Sequence, residues 1–123
     1  MKKIFLDTNA LMAIVELKID IFSEVDKVCD FPYQLWVLQG TIEELKKIHR
    51  EQRLRFSRAA QLVLSLLKVK KVRIVEEEGN VDDILTEYSQ RGYLILTQDK
   101  ELKRRLTRPY LTLRQRKMVV MVK

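Results

Sequence analysis

Short apolar segments alternate with longer segments of helical periodicity along almost the entire chain, and this alternation limits the fold more than any other feature. A strand that is buried on both faces is a continuous apolar run. Strands that alternate with helices form a parallel sheet, whose right-handed crossovers place helices on both faces. The sequence therefore predicts an α/β fold with a central parallel sheet flanked by helices. The predicted strands are 4–6, 34–38, 72–75 and 93–96, with one or two further short strands at 110–113 and 118–121.

Apolar spacing and terminal signals predict the helices. Asn9 is suited to be the N-cap of the first helix. Thr41 and Glu44 match the capping-box pattern at the start of the third, and Gly92 fits the position just after the fifth. In the long fourth helix, apolar residues at helical spacing predict a buried face made of Ala59, Leu62, Val63, Leu66 and Leu67. The predicted helices are 10–17, 21–28, 42–49, 51–68, 84–90 and 100–106.

The size and composition are those of one domain in a reducing compartment. The 123 residues, of which 46% are hydrophobic, are enough for a single domain with a core. The one cysteine, Cys29, excludes an internal disulfide and suits the cytoplasm, where we expect the protein. Asp7 interrupts the N-terminal apolar run, so no signal peptide is visible. No segment approaches the roughly 20 apolar residues of a membrane span, so we expect no membrane partner.

The positive charge is concentrated at the C-terminal end. The formal net charge is +7, and the last 24 residues alone contribute nine basic residues against one acid. A localised basic surface favours a polyanionic partner, with nucleic acid first. A second basic group, Arg50, Arg53, Arg55 and Arg58, precedes or begins the long helix, where it opposes the helix dipole. It either contacts phosphates or forms a solvated face with local glutamates, and the sequence leaves both interpretations open.

Four acids occupy equivalent positions in the predicted fold. Asp7 and Asp99 each follow a strand directly, whereas Glu44 and Asp82 lie in the first turns of helices that follow strands. In a parallel sheet these junctions share one edge, and neighbouring strands lie about 4.8 Å apart. Each acid alone is compatible with helix capping, but four together repel one another unless a cation neutralises them. Oxygen ligands suit Mg²⁺ or Mn²⁺. The chain has no glycine-rich phosphate loop, Ser/His/Asp set or CxxC motif, so this acid cluster is the catalytic candidate.

The same segments resemble the ordered motifs of the PIN-domain ribonucleases. They are Leu6-Asp7-Thr8-Asn9, Glu44-Leu45, Asp82-Asp83 and Thr97-Gln98-Asp99-Lys100. The resemblance covers the whole chain and implies a single, three-layer, Rossmann-like PIN domain over residues 1–123. It also implies endoribonuclease activity with Mg²⁺ or Mn²⁺. The catalytic, metal-binding carboxylates that it implies are Asp7, Glu44, Asp82 and Asp99, with Thr8, Asn9, Asp83 and Thr97 in support.

Two details of the resemblance remain open. Many PIN proteins have asparagine where this chain has Gln98, which we expect to loosen the local turn. Glu43 and Asp83 neighbour the assigned acids, and either is an alternative ligand to Glu44 or Asp82.

The resemblance is closest to the ribosomal-RNA-processing branch of the family, through Asp82-Asp83 and the segments 102–105 and 113–117. It implies a ribosomal RNA precursor as partner. Residues expected to contact RNA phosphates are Arg55, Arg58, Lys103, Arg104, Arg105 and Arg108. Two alternatives remain: a toxin ribonuclease with an antitoxin partner, and a non-catalytic RNA-binding or assembly module. The RNA target, the number of metal ions and the oligomeric state, a homodimer included, are not determined by the sequence.

Overall fold

One six-stranded sheet forms the centre of the protein in the computed structural model, which describes residues 1–123. The strands are β1 (Lys2–Leu6), β2 (Tyr33–Leu38), β3 (Arg73–Val75), β4 (Leu94–Leu96), β5 (Tyr110–Arg114) and β6 (Met118–Val122). Their spatial order is β3-β2-β1-β4-β5-β6. All neighbouring pairs are parallel except β5 and β6, which are antiparallel. The predicted α/β architecture is confirmed, and the last strand is the one departure from a fully parallel sheet.

Helices cover both faces of the sheet. They are α1 (Thr8–Glu16), α2 (Ile21–Val28), α3 (Gln39–Glu51), α4 (Leu54–Val69), α5 (Val81–Gln90) and α6 (Lys100–Arg105). A core of 20 buried residues joins one face of the sheet to α1, α2, α3 and α4, and a core of seven joins the other face to α5 and α6. The fold therefore has three layers, helix, sheet and helix. No helix combines the length and apolar character that crossing a membrane requires.

β1 is buried on both faces because it lies between β2 and β4 and is covered by both helical layers. Ile4 and Leu6 belong to the larger core, whereas Phe5 belongs to the smaller one and lies 4.7 Å, centroid to centroid, from Tyr88 of α5. β1 has β2 as its neighbour on one side and β4 on the other. The strand order reverses at β1, and in sheets of this kind ligands bind outside the carboxyl ends of the strands at such a reversal.

Two predicted helix starts are wrong. Asp7, rather than Asn9, caps α1, because its side chain accepts a hydrogen bond from the Thr8 amide and Asn9 already lies inside the helix. The capping box at Thr41 does not form, since α3 begins at Gln39 and has no side-chain cap. Thr41 is completely buried within the helix, and its hydroxyl has no hydrogen-bond partner.

The first turns of α3 and α5 approach each other closely. A Cβ atom added at Gly40 would lie only 2.7 Å from Cγ2 of Val81, the first residue of α5. Glycine therefore permits the two helices to begin side by side at the carboxyl edge of the sheet. This contact brings the first turn of α3, with Glu44 just beyond it, next to the first turn of α5, with Asp82.

The structure confirms the predicted end of α5 and corrects the predicted face of α4. Gly92 follows α5 with φ +92°, and its amide donates a hydrogen bond to the Ser89 carbonyl. Helix α5 therefore ends in a Schellman motif. In α4, Leu62 is 49% exposed, contrary to expectation. The residues of α4 that are buried are Ala59, Ala60, Val63 and Leu67.

Candidate active site

Asp7 is the most buried acid at the carboxyl edge of the sheet, with 6% of its surface exposed. Its backbone amide extends the β1–β4 pairing by donating to the Leu96 carbonyl. Its carboxylate accepts hydrogen bonds from the Thr97 hydroxyl at 2.7 Å, the Thr8 amide at 2.9 Å and the Asn9 side-chain amide at 3.2 Å. These contacts fix the position of the carboxylate within the structure.

The environment of Asp7 raises the pKa of its carboxyl from 3.8 to about 6. Burial is the largest cause, and it outweighs the hydrogen bonds from Thr97 and Thr8, which lower the pKa. The negative charges of Asp82 and Glu44 raise the pKa further. Carboxylates from three different strand–helix junctions therefore act on one another at this edge, as the sequence predicted.

Residues after β4 hold the first turn of α1 in place. The Asn9 side-chain carbonyl accepts a hydrogen bond from the Gln98 backbone amide at 2.9 Å, and the Gln98 side chain donates to the Asn9 backbone carbonyl at 3.1 Å. Gln98 thus links the two segments through both its backbone and its side chain. The Thr97 carbonyl in turn accepts from the Thr112 hydroxyl of β5 at 2.7 Å, so three parallel strands share the network.

Asp99 is fixed by the helix that it begins. Its carboxylate accepts from the amides of Glu101 and Leu102 and thereby caps α6, while its own amide donates to the Thr97 hydroxyl at 3.1 Å. The Thr97 hydroxyl consequently links Asp7 to the Asp99 backbone. Asp99 also raises the pKa of Asp82, for which burial is the largest cause.

Each assigned acid has different surroundings from its neighbour in the sequence. Glu44 acts on Asp7 and lines a cavity with Thr8 and Asn9, whereas Glu43 lines a different cavity with the acidic turn 76–78. Asp82 faces Asp7 and Asp99, whereas the Asp83 carboxylate is 2.6 Å from Arg105. Glu44 and Asp82 thus both act on Asp7, while Asp83 acts on Asp82, and the choice between each assigned acid and its neighbour as metal ligand stays a prediction.

The acid cluster lies in a fold that comparisons with known proteins also identify. A family model described as a PIN like domain matches residues 4–116. The chain belongs to the PIN-like domain family. The family predicted from the motifs is therefore confirmed.

Two sequence relatives of this PIN-like domain are named as ribonucleases. Ribonuclease VapC4 of Methanocaldococcus jannaschii is 28% identical over 123 aligned residues, which cover 95% of this chain and 94% of the relative. Ribonuclease VapC9 of Archaeoglobus fulgidus is 32% identical over 101 residues, which cover 80% of this chain and 71% of the relative. Both alignments extend over most of the domain.

The solved structures support the same fold. The PIN domain endonuclease Utp24 superimposes with a TM-score of 0.75 at 19% identity, covering 97% of this chain and 90% of that one. A domain of a functionally unknown protein from M. jannaschii matches with a TM-score of 0.52 at 13% identity over 83% of this chain and 81% of that one. At these identities the likeness concerns the fold.

The donor set of the PIN-like domain fits a hard divalent cation. The acid cluster, Asp7, Glu44, Asp82 and Asp99, offers only carboxylate oxygens, the ligands that Mg²⁺ and Mn²⁺ prefer. A cation also neutralises the repulsion that Glu44 and Asp82 exert on Asp7. No three acid, histidine or cysteine side chains lie close enough to share one ion directly. Because Mg²⁺ usually binds through one or two carboxylates and retains several waters, this spacing remains compatible with it.

The basic residues predicted to contact RNA divide into several groups. Lys103, Arg104 and Arg108 line a cavity of about 470 Å³ with Lys100 and Tyr110, beside the helix that Asp99 begins. Arg105 lies outside it, paired with Asp83. In α4, the Arg55 guanidinium lies 4.8 Å from the centre of the Phe56 ring, and Arg58 is exposed.

Sequence reasoning missed parts of the network around the cluster. Thr112 supports Thr97 from β5, and nothing in its local pattern indicated this contact. Thr8 was expected to support the site by hydrogen bonding, but only its backbone amide does so. The Thr8 hydroxyl is buried without a partner beside the cluster.

Proposed function

We propose that this PIN-like domain is an endoribonuclease that hydrolyses RNA phosphodiester bonds with Mg²⁺ or Mn²⁺. The observation that carries the proposal is the position of Asp7, a buried carboxylate held by three hydrogen bonds at the point where the strand order reverses, where the charges of Asp82 and Glu44 act on it. Perturbed titratable groups that converge at such a point are typical of functional sites. The printed names of two relatives, ribonucleases, and of a solved neighbour, a PIN domain endonuclease, agree with this activity.

Carboxylates of the acid cluster would hold the metal, one or two of them directly and the others through waters that the ion retains. When bound, the ion supplies Lewis-acid activation of water and of the phosphate. The carboxylate of Asp7 stays ionised above about pH 6, so at neutral pH it is ready to bind a cation without first losing a proton. Thr97 keeps Asp7 and the Asp99 backbone at a fixed separation by donating to one and accepting from the other.

Basic side chains bind the phosphates of the RNA backbone. The cavity lined by Lys103, Arg104 and Arg108 lies next to Asp99, so phosphates on that side of the cleavage position contact it. Such contacts contribute affinity that does not depend on sequence and that weakens as salt increases. Arg105 forms a solvent-exposed ion pair with Asp83, and because such pairs contribute little it remains a candidate for contact with RNA phosphates.

The biological role divides into two candidates. Processing of a ribosomal RNA precursor is supported by the motifs of the sequence and by the fold likeness to Utp24. A toxin ribonuclease with a small antitoxin partner is favoured by the two relatives named VapC, whose sequences are more similar to this chain. For either role we propose a cytoplasmic protein, in keeping with the free, buried Cys29.

A cleavage assay on structured and unstructured RNA tests the activity. We expect cleavage with Mn²⁺ or Mg²⁺, none with EDTA, and products with a 5′-phosphate and a 3′-hydroxyl, because water is the nucleophile. Cyclic phosphate ends would show that the 2′-hydroxyl attacks and would contradict the proposed reaction. Retention of full activity in EDTA would contradict the role of the metal.

Controlled expression in the native host separates the two roles. A ribosomal-RNA-processing enzyme leaves an uncut precursor when it is depleted, whereas a toxin arrests growth when it is expressed alone. Coexpression of a small protein encoded next to the toxin would relieve the arrest. Depletion without precursor accumulation would contradict the processing role, and harmless overexpression of the active enzyme would contradict the toxin role.

A further inference from the structure

A cavity of about 380 Å³ opens beside the acid cluster, on the side of α1 and the start of α4. Thr8 and Glu44 form its wall toward the cluster, and Gln52, Phe56 and Gln98 form other parts of its lining. Its volume is within the range of roughly 300–1,000 Å³ that is typical of pockets for small organic groups. Because it shares Glu44 with the cluster, whatever occupies it lies next to the reacting phosphate.

Neutral polar groups in this cavity lack partners within the protein. The Thr8 hydroxyl has no hydrogen bond, although only 5% of the residue is exposed, and a buried polar group without a partner is costly. The side chain of Gln52 is exposed at the edge of the cavity. Gln98 uses its side-chain N–H to reach Asn9, which leaves its carbonyl oxygen available. The lining thus combines two side-chain amides with an unpaired hydroxyl that lies just beneath the cavity surface.

The charges of the cavity exclude an anion. The charged residues that line it are Glu16 and Glu44, both acidic. A phosphate placed there would be repelled by both carboxylates, whereas a neutral planar ligand would not. The aromatic ring of Phe56 supplies a surface on which such a ligand can stack.

Positive charge appears immediately beyond Phe56. A second cavity of about 440 Å³ is lined by Arg55 and Arg116 together with Glu16 and Phe56, so Phe56 and Glu16 border both cavities. The Arg55 guanidinium lies 4.8 Å from the centre of the Phe56 ring. The acid cluster is therefore followed along the surface by a cavity with an aromatic wall and then by the two arginines.

We propose that the cavity binds one unpaired nucleobase of the RNA, adjacent to the cleavage position. This inference rests on the proposed ribonuclease function and specifies its substrate. The base stacks on Phe56 and hydrogen-bonds to Thr8, Gln52 and Gln98, while Arg55 and Arg116 contact the next phosphate. A base within a duplex cannot enter the cavity, since its edge is paired and its faces are stacked. The enzyme therefore requires a single-stranded nucleotide at this position and has a base preference there.

Fluorescence of a short single-stranded RNA with one 2-aminopurine base tests the pocket in EDTA, where no cleavage occurs. The base is moved along the strand, and we expect quenching at one position, where it stacks on Phe56. Phe56→Ala should remove this quenching and weaken binding about fivefold or more, as expected for the loss of one stacked base. Phe56→Trp retains an aromatic wall and should retain the quenching. Leu54→Ala, an exposed residue in the same helical turn, is the matched control and should behave like the wild type.

Cleavage of a randomised single-stranded pool with Mn²⁺ tests the base preference. Gln52→Ala should change the base distribution at one position next to the cleaved bond, whereas Gln61→Ala, an exposed glutamine on α4, should not. Equal binding and quenching of Phe56→Ala and Leu54→Ala would overturn the proposal, even if the protein cleaves RNA. Quenching that depends on Phe56 in a protein without nuclease activity would instead support the pocket and contradict the proposed function.

Discussion

The two halves of the acid cluster differ in how firmly the protein holds them. Asp7 and Asp99 follow strands β1 and β4, and their carboxylates accept five hydrogen bonds from the protein. Glu44 and Asp82 lie in helices α3 and α5, and their carboxylates accept none. Asp82 contributes only its backbone carbonyl, to the Thr86 hydroxyl.

If the acid cluster binds a cation as proposed, half of the site is formed in advance. The strand-end acids keep their positions because the parallel pairing of β1 with β4 and the Thr97 hydroxyl fix them. The helical acids keep free oxygens, which would let their rotamers adjust to a metal ion that retains water. We therefore propose positioning roles for Asp7 and Asp99 and adjustable ligation for Glu44 and Asp82.

The largest expected effect is the loss of cleavage when a fixed acid is neutralised. Asp7→Asn and Asp99→Asn should each reduce the rate of RNA cleavage by about a thousandfold or more, a loss of at least roughly 4 kcal/mol of transition-state stabilisation. Single-turnover assays with Mn²⁺ measure this. Glu43→Gln and Asp83→Asn are matched controls outside the cluster and should retain most activity. A fully active Asp7→Asn protein would remove Asp7 from the site.

The stability of the metal-free protein should depend on pH through Asp7. Its folded pKa of about 6 is above the ordinary 3.8, so the folded state binds more protons than the unfolded chain between these values. Stability should consequently fall as pH rises from 4 to 6, by roughly 3 kcal/mol for a shift of this size. Urea unfolding in EDTA across this range should show the fall in the wild type and in Asp30→Asn, an exposed control. An undiminished fall in Asp7→Asn would contradict the assignment.

The link through Thr97 should contribute measurably to stability. Thr97→Val leaves the buried Asp7 carboxylate and the Asp99 amide without one partner each, which should cost about 1–3 kcal/mol. Thr86→Val is the control in the adjustable half, because the Thr86 hydroxyl only bonds the carbonyl one turn earlier in α5. Urea unfolding of both variants at pH 7 compares them. Equal losses of unfolding free energy in Thr97→Val and Thr86→Val would show that the protein holds the two pairs of acids equally firmly.

The weakest expected effect is on RNA binding, which should not depend on either pair of acids in the cluster. Replacing Arg104 and Arg108 together by alanine should flatten the slope of log K against log salt by roughly 1.4, at about 0.7 per phosphate contact on a single strand. Asp7→Asn and Glu44→Gln should leave the slope unchanged, because neither carboxylate contacts phosphates in the absence of metal. Fluorescence anisotropy of labelled single-stranded RNA in EDTA measures the slope. The double variant Lys27→Ala and Arg91→Ala, whose side chains form exposed ion pairs elsewhere, serves as control.

The sequence predicted the parts of the structure that depend on local pattern and topology. The continuous apolar run at 4–6 marked the central strand, and parallel strand ends necessarily bring Asp7 and Asp99 to one edge. It failed where a contact between distant segments decided the result. Asn9 is recruited by Gln98, 89 residues away, instead of capping α1. The Thr41 capping box was a local match that the close packing of Gly40 against α5 displaced.

We propose that the acid cluster binds a divalent cation through a fixed half and an adjustable half. Calorimetric titration with Mn²⁺ measures this binding in the wild type, Asp7→Asn, Glu44→Gln, Asp82→Asn and the controls Glu43→Gln and Asp83→Asn. We predict that the three cluster variants bind Mn²⁺ at least tenfold more weakly than the wild type and that the controls bind normally. We also predict that Glu44→Gln and Asp82→Asn raise the metal-free stability at neutral pH, because each removes a charge that repels Asp7. A wild type that binds no Mn²⁺ at millimolar concentration, or controls that lose binding while the cluster variants retain it, would contradict the claim.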